Sequence, residues 1–172
     1  MPQYRRWRFG NIFIVESGYQ YVWEKIIGGR MMYDLNRFIV AQKRDYETAL
    51  KEIRAGYKCS HWMWYIFPQI SGLGFSSMAI RYEIVDLQEA KAYMENEYLR
   101  NNLVQITEAL LKCENDDIEE IMGFPDNLKL CSCMTLFEIA APEIKEFGKV
   151  IDRFYEGKRD QRTIDLLKNG RS

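Results

Sequence analysis

The sequence is short of the features that usually name a function. It holds one histidine, His61, in 172 residues, so a single imidazole is available for acid–base work near neutral pH. No apolar run approaches the roughly 18 residues that span a bilayer. That argues against a membrane partner. The formal net charge is −1, which removes any global electrostatic case for nucleic acid or for an anionic membrane surface. There is no P-loop, dinucleotide-binding fingerprint, zinc-hydrolase motif or nucleophile elbow. No internal repeat, low-complexity tract or interdomain linker is visible. The four cysteines, Cys59, Cys113, Cys131 and Cys133, stand in a chain without a secretory signal. They read as reduced thiols in the cytoplasm.

What is present is ordinary core material. Hydrophobic residues are 47% and charged residues 28%, enough for one domain with one core. Residues 1–30 differ from the rest, with Arg5, Arg6 and Arg8 at the front and aromatics throughout. Asn11-Ile12-Phe13-Ile14-Val15 is shorter than a signal-peptide core of about 7–15 residues, and Glu16 follows at once. Gly10, Gly18 and the β-branched residues allow a strand or hairpin. The other readings are a disordered extension or a start-site artefact. Codons for Ile27-Gly28-Gly29-Arg30 can spell a purine-rich ribosome-binding sequence just before Met31-Met32. The expected organisation is therefore an N-terminal extension, 1–30, and a single helical domain, 31–172.

From residue 31 the periodicity is helical. Asp34 is a candidate N-cap. Leu35, Phe38, Ile39, Gln42, Tyr46, Ala49, Leu50 and Ile53 then recur every three or four residues. Asp45 followed by Thr48 leaves a second helix start open there, and Gly56 suits a helix end. The stretch 60–69 packs aromatics too densely for a clean period, so helix and buried strand stay open until Pro68 ends it. Ser76 or Ser77 can cap a short helix. Asp86-x-x-Glu89 is a capping box, Asn96 precedes another helix, and Asp116-x-x-Glu119 opens a further short one. Pro125-Asp126 starts a helix that is apolar on most faces and therefore central, ending before Pro142. Phe147, Val150, Ile151 and Phe154 mark another helix, and Asp160 can cap a last one. The expected fold is all-α, a compact single-domain arrangement of seven or eight short helices.

Two blocks carry rare residues in order. The first is Lys58-x-Ser60-His61-Trp62-Met63-Trp64-Tyr65-Ile66-Phe67-Pro68-Gln69, with Gly72-Leu73-Gly74 and Arg81-Tyr82 after it. The second is Asp126-x-Leu128-Lys129-Leu130-x-Ser132-x-Met134-Thr135-Leu136-Phe137. With Asp34-Leu35-x-Arg37-Phe38 and Ala41-Gln42, they resemble the bacterial family catalogued as domain of unknown function 1810, over about residues 33 to 168. The resemblance implies a single, cytoplasmic, mostly helical domain and carries no catalytic assignment. The family pattern begins near Tyr33, so residues 1–30 are a departure from it. Cys59, Cys131 and Cys133 are not part of that pattern.

Polar residues embedded in these apolar blocks are the candidate site. His61 is a candidate general acid or base, against the plainer reading of a structural histidine in an aromatic cluster. Lys129 is a candidate base, nucleophile or anion anchor, against a lysine at a helix rim that reaches water. Lys58, Ser60, Trp62, Trp64, Gln69, Arg81, Ser132 and Thr135 are candidate ligand contacts, with the tryptophans as stacking faces and Tyr82 and Arg54 nearby in the same role. The plainer readings are core aromatics and hydroxyls bonded back to their own helix. A Cys59, His61, Cys131 and Cys133 zinc site has the wrong spacing, because Cys131 and Cys133 point about 200° apart on a helix. No metal and no cofactor is expected. Three functions remain: a small-molecule site between block 58–69 and helix 126–137, for an anionic or planar ligand; an interaction module without chemistry; and a hydrolase acting on a nucleotide-like substrate through His61 and Lys129. If translation starts at Met31 or Met32, the native N-terminal peptide begins there; an intact Met1 peptide by mass spectrometry overturns that expectation.

Overall fold

Helix α1 shows how the pattern becomes structure. Phe38, Ala41, Gln42, Tyr46, Ala49, Leu50 and Ile53 are its buried face, and Lys51 and Arg54 sit in its last turn. There they complement the carbonyl end of the helix dipole. The chain is described by a computed structural model at residues 5–9, 12–17, 20–27 and 30–169. In it α1 runs unbroken over Asn36–Arg54. The restart at Asp45 does not occur. Asp45 instead accepts hydrogen bonds from Arg44 at 2.9 and 2.7 Å and from the Tyr65 hydroxyl. The Asn36 N–H donates to Asp34 at 3.1 Å, which keeps the expected capping role for Asp34.

Eight further helices follow among the described residues: α2 (Met63–Ile66), α3 (Ser77–Arg81), α4 (Leu87–Glu95), α5 (Glu97–Leu111), α6 (Ile118–Met122), α7 (Asp126–Ala140), α8 (Glu146–Phe154) and α9 (Gln161–Asn169). The count passes the expected seven or eight because the ambiguous aromatic stretch folds as the single turn α2; α1, staying whole, adds none. Ser76, Asp86 and Asn96 cap their helices as expected, each accepting the N–H three residues on. Helix α6 is capped by Asp117, not Asp116. Asp117 accepts from the N–H groups of Glu119 and Glu120, while Asp116 pairs with Arg153 at 2.6 Å. Gly56 and Gly123 end α1 and α6 with φ of 73° and 75°, a backbone region that disfavours any side chain.

The chain divides into two units, Met1–Asn36 and Arg37–Ser172. In the first, β1 (Arg5–Phe9), β2 (Ile12–Ser17), β3 (Gln20–Ile27) and β4 (Arg30–Met32) pair antiparallel in sequence order. That is the strand-and-hairpin alternative for the extension. Gly10, Gly18, Gly28 and Gly29, read as turn or start signals, lie outside the described residues.

The second unit is helical. Its only bridge among the described residues is a parallel contact of Ile70 with Ile84. Helix α7 is its centre: Leu130, Cys133, Met134, Leu136 and Phe137 are fully buried, and α4, α6, α8 and α9 pack on it. Trp62, Met63, Tyr65, Ile66 and Phe67 are buried too. Each large side chain removed from water contributes about 1.5–3 kcal/mol, so the aromatic block is first of all core.

A polar seam crosses this core. Buried Gln42 donates to the Tyr65 carbonyl at 2.7 Å and to the Tyr93 hydroxyl at 2.9 Å, and accepts from Asn102 at 3.0 Å. Gln42→Met keeps the shape but strands all three partners. Chemical denaturation should show a loss of about 2–3 kcal/mol; an unchanged midpoint would remove the seam from the list of stabilising contacts.

Candidate functional site

The site is assembled by the last turns of α1. Glu52 points its carboxylate at the turn 59–62. It accepts the backbone N–H groups of Cys59 at 2.9 Å and Ser60 at 3.0 Å, the Ser60 hydroxyl, and the Trp62 indole N–H at 2.8 Å. Burial works to raise this carboxyl. The four donors outweigh it and hold the group down at about 2. The turn is thereby wound onto α1, with Trp62 turned inward and His61 turned outward.

The same turn delivers Lys58 to α7. Its backbone N–H donates to the Ile121 carbonyl at 2.8 Å. Its ammonium lies 2.8 Å from Asp126, donates to the Ser60 carbonyl at 2.6 Å and sits 4.9 Å from the Trp62 ring centre. Lys129, one turn along α7, reaches the other oxygen of Asp126 at 2.7 Å. Its ammonium also lies 5.2 Å from the Trp64 ring centre. Burial would raise Asp126, but the two lysines prevail and hold its carboxyl below the usual range. One carboxylate therefore serves two ammonium groups, and the cluster keeps one positive charge. Lys58 is 7% exposed and Lys129 27%, so that charge is offered to solvent mainly through Lys129.

Lys129 lines a narrow cleft that opens to solvent, together with Met63, Trp64, Phe67, Gln69 and Glu83. Gly74, Ala79 and Tyr82 complete its rim and wall. The rim is tight at one point. A Cβ on Gly74 would stand 2.6 Å from the Ala79 Cβ, so only glycine allows this approach. Burial raises the Glu83 carboxyl above its ordinary range.

The structure thus brings block 58–69 and helix 126–137 together, and it sorts the candidates. Trp64, Gln69 and Lys129 line the cleft. His61 does not. It is exposed, and its imidazole has no hydrogen-bond partner among the described residues. It is neither paired with Lys129 at that cavity nor a structural histidine inside the aromatic cluster, because the Glu52 turn faces it outward. Ser60 and Trp62 are engaged by Glu52 and Lys58 by Asp126. Arg81 is exposed, with its guanidinium 5.4 Å from the Tyr82 ring centre. Ser132 donates to Asp160 at 2.8 Å, and Thr135 donates to the Cys131 carbonyl at 2.8 Å and accepts the Asp160 N–H at 2.9 Å. Those two hydroxyls fasten the start of α9, since Asp160 also caps it through the Thr163 N–H at 3.2 Å. Arg54 lines a separate surface groove with Gln105, Glu108 and Lys112. All four thiols are free, and among the described residues no three His, Cys, Asp or Glu side chains converge as metal ligands.

Glu52, Glu83 and Asp126 were not singled out from the sequence. Asp126 had a readable signal: it stands three residues before Lys129, a spacing at which helix side chains meet. Glu52 lies on the polar side of α1 and looks like any solvated glutamate. Glu83 follows Arg81-Tyr82 without a motif of its own.

Residues 32–167 match the family described as "Protein of unknown function (DUF1810)". The chain belongs to this family. The fold is similar to the crystal structure of the conserved hypothetical protein Rv1873 from Mycobacterium tuberculosis, at 44% identity and a TM-score of 0.78. The similarity covers 79% of this chain and 97% of that one. No curated protein matches. No helix among the described residues of this DUF1810 chain is long and apolar enough to cross a membrane.

The Glu52 cluster gives a pH signature. Its folded carboxyl is depressed from an ordinary 4.5 to about 2. Its stabilisation is therefore complete above about pH 4.5 and is lost as the pH falls towards 2. Glu52→Ala leaves the Trp62 indole and two backbone N–H groups without their acceptor. It should cost about 2–3 kcal/mol at neutral pH and flatten the acid limb of a stability–pH curve. A wild-type acid limb retained in Glu52→Ala assigns it to other carboxylates.

Proposed function

We propose that the domain binds a small anionic ligand in the cleft between Trp64, Gln69 and Lys129. The observation that supports this reading is the Lys58–Asp126–Lys129 cluster, in which two lysines share one carboxylate and Lys129 reaches the lining of that cleft. A lysine is costly to keep at a partly buried position unless it is paired or used. Lys129 shares its carboxylate partner with Lys58, so an anion in the cleft would compete for only half of that pairing. Concave, partly apolar walls with a few polar groups are the usual form of a small-molecule site. The hydrolase version required His61 and Lys129 at one cavity, and His61 stands outside the cleft lining.

A second reading, a docking module without chemistry, is favoured by exposed aromatics near the same cluster. Tyr57 and Phe124 are 63% and 73% exposed. Their segments are held together by the Lys58–Ile121 backbone bond and the Lys58–Asp126 pair. Single exposed apolar residues are common on soluble proteins, so this carries less weight than the charged cleft.

A thermal-shift screen of small carboxylates and phosphate monoesters tests the first reading. A ligand at about 100 times its dissociation constant adds about 2.7 kcal/mol, or roughly 5–10 °C in a unit of this size. The shift should be lost in Lys129→Met, where Asp126 keeps Lys58 as its partner, and retained in His61→Ala. A shift that survives Lys129→Met and disappears in His61→Ala overturns the assignment.

A further inference from the structure

The exposed apolar side chains of the helical unit are unevenly spread. Eight large ones stand in water among the described residues, and three of them, Tyr57, Phe124 and Leu128, come from one corner. The Lys58 N–H on the Ile121 carbonyl sets Tyr57 beside the end of α6. Phe124 follows in the turn from α6 to α7. Leu128 lies in the first turn of α7 and is 55% exposed. A lone exposed apolar residue is ordinary, but a group at one place marks a contact surface.

The charge around this corner has one sign. Residues 113–126 hold six carboxylates, Glu114, Asp116, Asp117, Glu119, Glu120 and Asp126, and no lysine or arginine. Two of them receive cations from elsewhere: Asp116 takes Arg153, and Asp126 takes Lys58 and Lys129. The other four are exposed and have no salt bridge among the described residues. Asp117 caps α6, and Glu119 and Glu120 sit in its first turn. The helix end answers them with only about half a positive charge. The side-chain donors they do meet are neutral amides, Asn127 on Glu119 at 3.5 Å and Asn115 on Glu120 at 2.9 Å. An excess of negative charge therefore stands beside the apolar corner. It repels nucleic acid and anionic lipid, and its complement is a cation.

We infer that the corner of Tyr57, Phe124 and Leu128 docks a basic peptide segment of a partner protein. Aromatic or aliphatic side chains of the segment cover the corner, and its lysines or arginines meet Glu114, Asp117, Glu119 and Glu120. This rests on the docking reading above and names the chemistry of the partner. The aromatic contacts supply most of the affinity, and the carboxylates select the partner and speed its arrival.

Fluorescence anisotropy on the full chain tests the inference with three labelled hexapeptides: alternating Lys and Phe, alternating Glu and Phe, and alternating Lys and Ala. The Lys–Phe peptide should bind at least tenfold tighter than either of the others. Tyr57→Ser combined with Phe124→Ser should weaken it at least tenfold. Both side chains stand in water, so the core is untouched. Glu119→Gln combined with Glu120→Gln should weaken it several-fold and flatten its salt dependence between about 50 and 300 mM. Glu–Phe binding as tightly as Lys–Phe, with both lost in the serine variant, overturns the basic partner and leaves the docking corner standing. Lys–Ala binding as tightly as Lys–Phe, or Lys–Phe binding unchanged in the serine variant, reduces the contact to charge alone and overturns the corner too. A dimer in sedimentation that the serine variant dissolves assigns the corner to a second copy of the chain and overturns the partner peptide. No anisotropy change with any peptide, in a monomeric chain, removes both the inference and the docking reading.

Discussion

The arrangement depends on the carboxylate of Glu52. Four donors from residues 59–62 converge on it, and the direction of every side chain in the aromatic block follows. A turn wound onto that carboxylate must send Trp62 inward and His61 outward. It also sets Lys58 where it can reach Asp126. Charge-assisted hydrogen bonds of this kind are roughly twice as strong as neutral ones. A single glutamate can therefore position a turn that has no regular structure of its own.

The second constraint is the sharing of Asp126. An isolated buried lysine is unfavourable, and Lys58 escapes this through a carboxylate, a carbonyl and an aromatic face. The cost is that Asp126 is then no full counter-charge for Lys129. The cleft inherits that shared pairing, with Glu83 as the second carboxyl in its lining. Structure and electrostatics are thus linked: the pair that holds the 58–62 turn on α7 also leaves the charge beside Trp64 and Gln69. Further along α7, Ser132 and Thr135 are spent on Asp160 and the start of α9, which separates fastening from the lysine cluster along one helix.

Much of the fold was legible because its signals are local. Helical spacing located α1, α5, α7 and α8. Short-range caps located α3, α4 and α5 at Ser76, Asp86 and Asn96. Even the near miss at α6 is local, since Asp116 and Asp117 are equally good caps by type and only the distant Arg153 claims one of them. The site was half legible. That blocks 58–69 and 126–137 meet was readable from their rare polar residues, and Trp64, Gln69 and Lys129 do share a cleft. His61 stood out by rarity, but rarity says nothing about which way a turn faces.

Sequence alone determined the helical class and the centrality of α7, because periodicity, caps and apolar content act within one or two turns. Only the tertiary structure decided which polar groups are consumed and which remain. Ser60 and Trp62 are consumed by a glutamate on α1, and Ser132 by an aspartate beyond α8. Gln69 and Tyr82 are left without side-chain hydrogen-bond partners among the described residues. Those outcomes depend on hydrogen bonds between residues far apart in the chain, whose geometry exists only once the core has packed.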